Sequence, residues 1–467
     1  MKWLSYLSSG FSTTFNIIVN AITFGQVLWL EGRVSAGRFR NWARNFRYTP
    51  DSFVRPTTEQ EIIDLVKNST GIRFFGSGHS FNAGVVSDHS LVSLDDYAGV
   101  LWKDLPNKQM TFRGGTRVRD VVKALLADGL AFKAMPSHDA QSIAGILSTD
   151  VHGTGKDWGW VSEAVVAMKI IDGLGNVHQV IPTDDLFKAA IGGIGAVGII
   201  TEVTVQGVPR FNVEQKFELM DLAYVQANLD QMLQDNDHLS LYLFPFSDKC
   251  QVSIWNRTTA AKSFLGPLRE WIAISFDALT SSWFGGFMAY SGLLDTWSSW
   301  AYGLKRGTDL VMESNEAFNR TIYHLHQELE FTVPYVDTWA ECDRFLDLFE
   351  NMYLNSGSDL PYTLLEVRFT PAGHDLTLIG AGRDRRSTWI DLICNDSRGF
   401  ETYYAAAEME IKNIGARPHL GKFCATLGKA DMQIIHGAHF DKFLTLMEQY
   451  DPDDKFANDF TRRLFRA

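Results

Sequence analysis

The chain has 467 residues, a formal net charge of −12, 45% hydrophobic and 21% charged residues. That length is about three times a usual single domain, so two domains sharing an interface are expected, and the composition excludes a disordered or fibrous chain. The acidic balance offers no general attraction to phosphate backbones, which sets nucleic acid aside and favours a small-molecule enzyme.

From Trp3 to Leu30 there is no charged residue, and Arg33, Arg38, Arg40, Arg44 and Arg47 follow. This resembles a membrane segment with its basic flank on the cytoplasmic side, although Asn16, Asn20 and Gln26 dilute the run. Residues 1–44 are therefore read as an N-terminal apolar segment, and the location as membrane-associated or cytoplasmic. Ile72 to Phe75 reads as a strand entering the glycine-rich Gly76-Ser77-Gly78-His79-Ser80, and Leu91 to Leu94 as another. Met110 to Gly115 is a strand, after which Val118, Val121, Val122, Leu125 and Leu126 repeat at helical spacing. Ala164 to Ile171 and Val177 to Ile181 form a hairpin around Gly173-Leu174-Gly175-Asn176, with a helix near Asp184 to Ala190 and a strand at Ile199 to Val205.

Gly193-Ile194-Gly195-Ala196-Val197-Gly198 matches GxGxxG, but a helix precedes it and a strand follows, the reverse of the dinucleotide-binding order. Its glycines still allow backbone amides to approach a cofactor. After Pro209 the texture changes, placing a domain boundary near 210. Strands are expected at Leu239 to Phe244, Val252 to Trp255 and Leu364 to Phe369, with helices near Leu222 to Leu233 and Glu341 to Met352. A second uncharged, aromatic-rich stretch, Ser281 to Leu294, flanked by Trp271, Trp297, Trp300, Lys305 and Arg306, reads as an interfacial surface or a buried helix.

Cys250, Cys342, Cys394 and Cys424 form no CxxC pair, which points to reduced thiols. Four N-x-S/T triplets, at Asn68, Asn256, Asn319 and Asn395, are expected by chance in this composition. His436 and His439 form an HxxH without a nearby carboxylate motif and read as structural, so no metal is expected.

Four segments together carry a family resemblance. Gly76 to Asn82 resembles the flavin-attachment loop of the vanillyl-alcohol-oxidase superfamily, Ser142-Ile143-Ala144-Gly145 through His152-Gly153-Thr154-Gly155 its second FAD segment, and Gly193 to Val205 its third. Arg417-Pro418-His419-Leu420-Gly421-Lys422 resembles the C-terminal segment of its aldonolactone and alditol oxidase branch. The resemblance implies an α+β fold: a PCMH-type FAD-binding module over 45–210, an α+β substrate cap over 211–415 and a C-terminal segment, 416–467, returning to the FAD. It implies FAD bound by Gly76, Ser77, Gly78, His79, Ser80, Asn82, Ser142, Gly145, Ser148, His152, Gly153, Gly155, Gly195, Gly198 and Ile200, with a covalent bond at His79. Asp150 departs from the pattern, since a carboxylate near a pyrophosphate repels it unless it points elsewhere or pairs with a cation.

The implied reaction oxidises a CH–OH group of a sugar lactone or polyol by hydride transfer to the flavin. Glu366, Arg368 and Lys422 are the catalytic set, and Ser142, Glu366, Arg368 and His419 the substrate contacts. The i, i+2 spacing of Glu366 and Arg368 puts both on one face of a strand. The proton acceptor is open between His419 and a Lys422 whose pKa burial would have to lower. Pro136, at a position that tends to be Gly or Pro in oxidases, leans toward molecular oxygen as acceptor. A dehydrogenase with another acceptor, a reductase of carbon–carbon double bonds and a flavin-binding protein without oxidase chemistry are the alternatives.

Overall fold

In the computed structural model both halves of the chain combine alternating strands with amphipathic helices. The structure describes residues 2–23, 31–87, 89–301, 309–319, 325–356, 360–395 and 399–466. Residues 24–30 of the N-terminal run, Lys305 and Arg306 lie outside the described residues, as does the side chain of Trp300.

The first half contains a small parallel sheet in the order Ser52–Val54, Ser90–Ser93, Ile72–Phe75. Beside it lies a five-stranded antiparallel sheet in the order Val177–Val180, Val165–Ile171, Ile199–Gln206, Gln109–Arg113, Val100–Asp104. Helix Val118–Ala127 buries Val118, Val121, Val122 and Leu125, the stripe its spacing predicts. Helix Glu59–Asn68 starts at a capping box between Thr58 and Glu61, which satisfies two of its orphan amides.

The second half is one eight-stranded sheet in the order Leu310–Glu313, Asn212–Asp221, Lys249–Thr258, His238–Leu243, Thr363–Thr370, Ser387–Cys394, Gln327–Pro334, Arg417–Pro418. Helices Leu222–Asp235, Thr338–Ser356 and Glu401–Ile414 cover one face, where Leu241, Phe331, Val367 and Ile390 meet Leu229, Phe345 and Tyr404 in a single core. Because side chains alternate, the neighbours Glu330, Glu366, Arg368 and Asp391 turn to the opposite face. The first half covers that face: Gly155 N–H donates to Phe369 O (2.9 Å), and His152 stacks on Trp389 with ring centroids 3.5 Å apart. Among the strands that sequence patterning missed, Gln327–Pro334 and Ser387–Cys394 lie in the middle of this sheet and are buried along almost their whole length.

The C-terminal segment adds Arg417–Pro418 to the sheet edge beside Phe331 and Thr332. It then sends helices Lys429–His436, Ala438–Tyr450 and Asp459–Phe465 back into the first half, where Met432, Phe440, Phe443 and Leu464 share a core with Phe112 and Val203. Helix Lys2–Thr23 packs on Gly266–Leu279 and the segment after it. Among the described residues no helix is long and apolar enough to cross a membrane.

Candidate active site

Where the two halves meet, two cavities share a wall. The first is lined by Gly76 to Asn82, Pro136 to His138, Ser142, Gly145, Ser148, His152, Gly195, Gly198 to Ile200 and His419 to Lys422. The second is lined by Tyr242, Trp255, Glu366 and Asn395 among others. Ser137, His326, Glu328 and Arg368 belong to both.

The flavin-loop glycines face the first cavity because the chain there has no room for side chains. A Cβ on Gly76 would sit 2.0 Å from Ser142 Oγ, and Gly78 takes a left-handed φ of +63° while passing the backbone of Gly32. His79 follows, buried and stacked on Trp42 with centroids 5.4 Å apart. Its Nδ1 lies 3.1 Å from His138 Nε2, and its own Nε2 is buried with no hydrogen-bond partner. Burial, then His138 and Arg117, holds the imidazole pKa well below its ordinary value, so the ring is neutral. Asn82 closes the loop onto the returning segment: its Nδ2 donates to Leu420 O and to Lys422 O (2.9 Å), and its Oδ1 accepts from Gly84 N–H.

Ser142 caps helix Ile143–Ser148 through Gly145 N–H (3.2 Å) and lines only the first cavity. Ser148 Oγ donates to Ala144 O. Gly153 and Gly155 sit outside the first cavity's wall. The Gly153 amide bonds Gly159 O, and that of Gly155 joins the cap strand at Phe369. Asp150 resolves its own anomaly: at a φ of +51° it turns away from the cavity lining, accepts from Ser162 Oγ (3.3 Å) and contacts His374 Nε2 (3.0 Å), which stacks on Trp160.

The cap's polar face supplies the charge. Cross-strand pairing sets Tyr242 opposite Glu366, Glu366 opposite Asp391 and Asp391 opposite Glu330, so three carboxylates lie in one row. Such a row is unstable alone. Two cations hold it. Arg368 Nη2 donates to Glu330 Oε1 at 2.6 Å and lies 3.6 Å from Asp391. Lys422 Nζ pairs with Glu328 and lies 3.3 Å from Asp391 and 3.7 Å from Glu330. Burial alone would lower the Lys422 pKa, but Asp391, Glu328 and Glu330 outweigh it and push it well above the ordinary value. Lys422 is therefore a fixed ammonium, the reverse of the shift a neutral lysine base requires. Arg368 is raised in the same way, against burial, by Glu330 and Glu366. Asp391 goes the other way: burial and then Glu328 raise it well above the carboxylate range, against the pull of Lys422 and Arg368. His419 accepts Gly421 N–H at Nδ1 (2.9 Å), and burial takes its pKa down to about 3.

On the second cavity's side, Tyr242 OH donates to Glu366 Oε1 at 3.1 Å. His326 Nε2 lies 3.0 Å from Glu328 Oε1. Sequence reasoning missed His326, Glu328, Glu330, Asp391 and Tyr242. The alternation His326-Gln327-Glu328-Leu329-Glu330 was the available signal, a polar face at strand spacing.

A glycine-lined cavity opening onto a buried charged sheet is an arrangement suited to an FAD-linked oxidoreductase, and comparison with known proteins gives that class. Residues 50–180 match the FAD binding domain model and residues 203–464 the D-arabinono-1,4-lactone oxidase model. The chain belongs to the D-arabinono-1,4-lactone oxidase family of FAD-linked enzymes, whose reaction is the oxidation of sugar 1,4-lactones. It is 27% identical over 440 residues to an L-gulono-1,4-lactone dehydrogenase of Mycobacterium tuberculosis, covering 91% of this chain and 98% of that one. It is 26% identical over 454 residues to an L-gulonolactone oxidase of Scyliorhinus torazame, covering 92% and 98%. It is 29% identical over 243 residues to a D-arabinono-1,4-lactone oxidase of Saccharomyces cerevisiae, covering 50% and 46%. The fold is that of cholesterol oxidase from Brevibacterium sterolicum, with a TM-score of 0.75 at 15% identity over 93% of this chain and 97% of that one.

Proposed function

We propose that FAD occupies the first cavity and a sugar 1,4-lactone the second, and that the lactone's CH–OH group is oxidised at the wall they share. The observation that carries this reading is that wall: Ser137, His326, Glu328 and Arg368 face both cavities, so groups bound on either side meet there. The residues fit the cofactor. Gly195 takes a φ of +73° with open space where a Cβ would point, and the glycine turns present backbone rather than side chains. His79 fits covalent attachment, because its ring is neutral and its buried Nε2 has no other partner. If the Nδ1 proton is held against His138 Nε2, the lone pair stays on His79 Nε2. Bound FAD supplies the hydride acceptor.

The chain's own residues do the rest. Glu366, oriented by Tyr242, accepts a hydrogen bond from a substrate hydroxyl. Arg368 and Lys422, kept charged by the carboxylate row, stabilise negative charge developing on the reacting oxygen and on the cofactor edge. Ser142 and His419 line the cofactor side, a position that favours cofactor contact over substrate contact. Molecular oxygen is the proposed acceptor, with Pro136 on the cavity wall. The proposed division is FAD module 45–210, cap 211–415 and returning segment 416–467. The enzyme is further read as membrane-associated with its catalytic domain on the cytoplasmic side, from the uncharged N-terminal run and the arginines after it.

The test is oxygen uptake and peroxide release by the purified protein with L-gulono-1,4-lactone, D-arabinono-1,4-lactone and open-chain alditols. Lactone-dependent peroxide supports the reading. Turnover of lactone only with an artificial acceptor would replace oxygen, and turnover of alditols alone would replace the substrate class.

A further inference from the structure

Helix Lys2–Thr23 is built inside out for a helix in water. Ser5, Ser9, Thr13, Asn16 and Asn20 recur at helical spacing and are the buried stripe, with Gly10 and Ile17 beside them. Leu4, Leu7, Phe11, Phe15, Ile18 and Ile22 form the opposite stripe and are exposed, Ile22 to 72% and Phe11 to 64%. The partner helix repeats the pattern. Gly266–Leu279 buries Glu270, Ser275 and Ala278 and exposes Leu268, Ile272 and Phe276.

The two run antiparallel, joined by polar contacts. Trp271 Nε1 donates to Asn20 Oδ1 (2.8 Å), Thr13 and Ser282 share a buried hydroxyl pair (2.9 Å), and Trp283 Nε1 donates to Thr14 Oγ1 (3.1 Å). At the far end Trp3 lies 6.0 Å from Phe287. Polar groups glued inward with large apolar side chains outward is the arrangement of helices whose outer surface meets lipid. So extended an apolar patch is uncommon on a water-facing surface.

A second observation names the lipid charge. In the sheet Arg33–Ser35, Arg38–Arg40, Arg47–Tyr48, the register sets Arg33 opposite Arg40 and Arg40 opposite Arg47. Like charges paired across strands destabilise a sheet. Arg44 completes the cluster and joins it to the helix, its Nη2 donating to Ser12 Oγ (3.1 Å). Burial first, then Arg40, Arg47 and Arg33, takes its pKa down to about 10. In a chain of net charge −12 this concentrated positive patch is complementary to anionic headgroups.

We infer that Lys2–Thr23 and Gly266–Leu279 form one in-plane docking surface for an anionic lipid bilayer, with the Arg33, Arg40, Arg44 and Arg47 cluster seated on its headgroups. This rests on the reading of the chain as membrane-associated and says where and how it attaches. The inner side of the same helix supplies Ile274, Asp277 and Ala278 to the wall of the second cavity. Docking therefore sets the substrate cavity about one helix diameter, roughly 10 Å, from the lipid.

The test is co-sedimentation of the full-length flavoprotein with phosphatidylcholine vesicles, with and without phosphatidylglycerol, at low and high salt. The wild type is expected to pellet with the anionic vesicles and to be released by salt. F11E/I18E should lower partitioning by about tenfold or more at unchanged flavin content, and R33E/R47E should remove the preference for phosphatidylglycerol. If the double glutamate variant does not fold, the lipid and salt dependence and R33E/R47E still decide. Equal pelleting of the wild type and both variants keeps membrane association and overturns this surface. Wild type that stays in the supernatant overturns both, and light scattering showing a dimer that F11E/I18E splits overturns this surface and assigns the face to a second copy.

Discussion

Arg368 makes its shortest ion pair, 2.6 Å, with Glu330, reaching over the strand that carries Asp391, while Glu366 on its own strand lies 3.9 Å from its Nε. The guanidinium is thus part of a buried network whose other cation is Lys422, and removing either cation leaves carboxylates unpaired. Lys422→Met is expected to lose about 3–5 kcal/mol of stability, the usual consequence of uncovering a buried charge. Adding Glu328→Gln should recover part of that loss, while kcat stays down by about 10²-fold or more. Thermal unfolding and steady-state kinetics of the single and double variants check this.

Asp391 separates stability from charge. Its folded pKa is raised, so the folded state holds a proton that the unfolded chain releases above about pH 4, and the cost grows as pH rises toward the folded pKa. Asp391→Asn keeps the shape and removes that cost. The variant's melting temperature should gain on the wild type from pH 5 to pH 8, and parallel curves would contradict a raised Asp391 pKa.

Buried histidines set the acid limit. Burial takes His138 and His238 down to about 4 and His419 to about 3. A depressed histidine contributes stability that is fully present above the unfolded pKa of about 6.5 and is lost as pH falls toward the folded value. Stability should therefore fall between about pH 6.5 and 4 by more than one proton's worth, and His238→Gln should reduce that slope by about one proton. Denaturant titrations across this range measure the slope directly.

Substrate contact is tested at Tyr242, whose hydroxyl donates to Glu366. Tyr242→Phe removes one hydrogen bond to a carboxylate, about 1.5–3 kcal/mol at most, and frees Glu366 to turn. We expect KM for the lactone to rise about tenfold with kcat less affected. A fall in kcat at constant KM would instead put Tyr242 in the transition state.

The glycine-rich segments were legible because close backbone approach and left-handed φ demand glycine, and that requirement is local. Gly76, Gly78, Gly195 and Gly198 accordingly line the first cavity. Gly153 and Gly155 carried the same signal for a different neighbour, the backbone of Gly159 and of the Phe369 strand. Glu366 and Arg368 were legible through strand spacing, yet Glu330 and Asp391 were not, since their adjacency arises from pairing three strands distant in sequence. Among the described residues the N-terminal helix is not long and apolar enough to span a membrane, and the sequence alone does not show how it packs. Hydropathy counts apolar residues without showing which stripe is buried, and here the buried stripe is the polar one.

His79→Ala is expected to leave FAD bound but released on acid precipitation, whereas the wild-type pellet stays yellow. Release from both would remove the covalent bond and keep the cofactor site.

The most direct measurement is the visible spectrum of the purified protein when L-gulono- or D-arabinono-1,4-lactone is added anaerobically, followed by air. Bleaching of the flavin band by lactone and its return with oxygen, both lost in Arg368→Met, is the predicted result. A flavin spectrum indifferent to every sugar lactone would contradict the account.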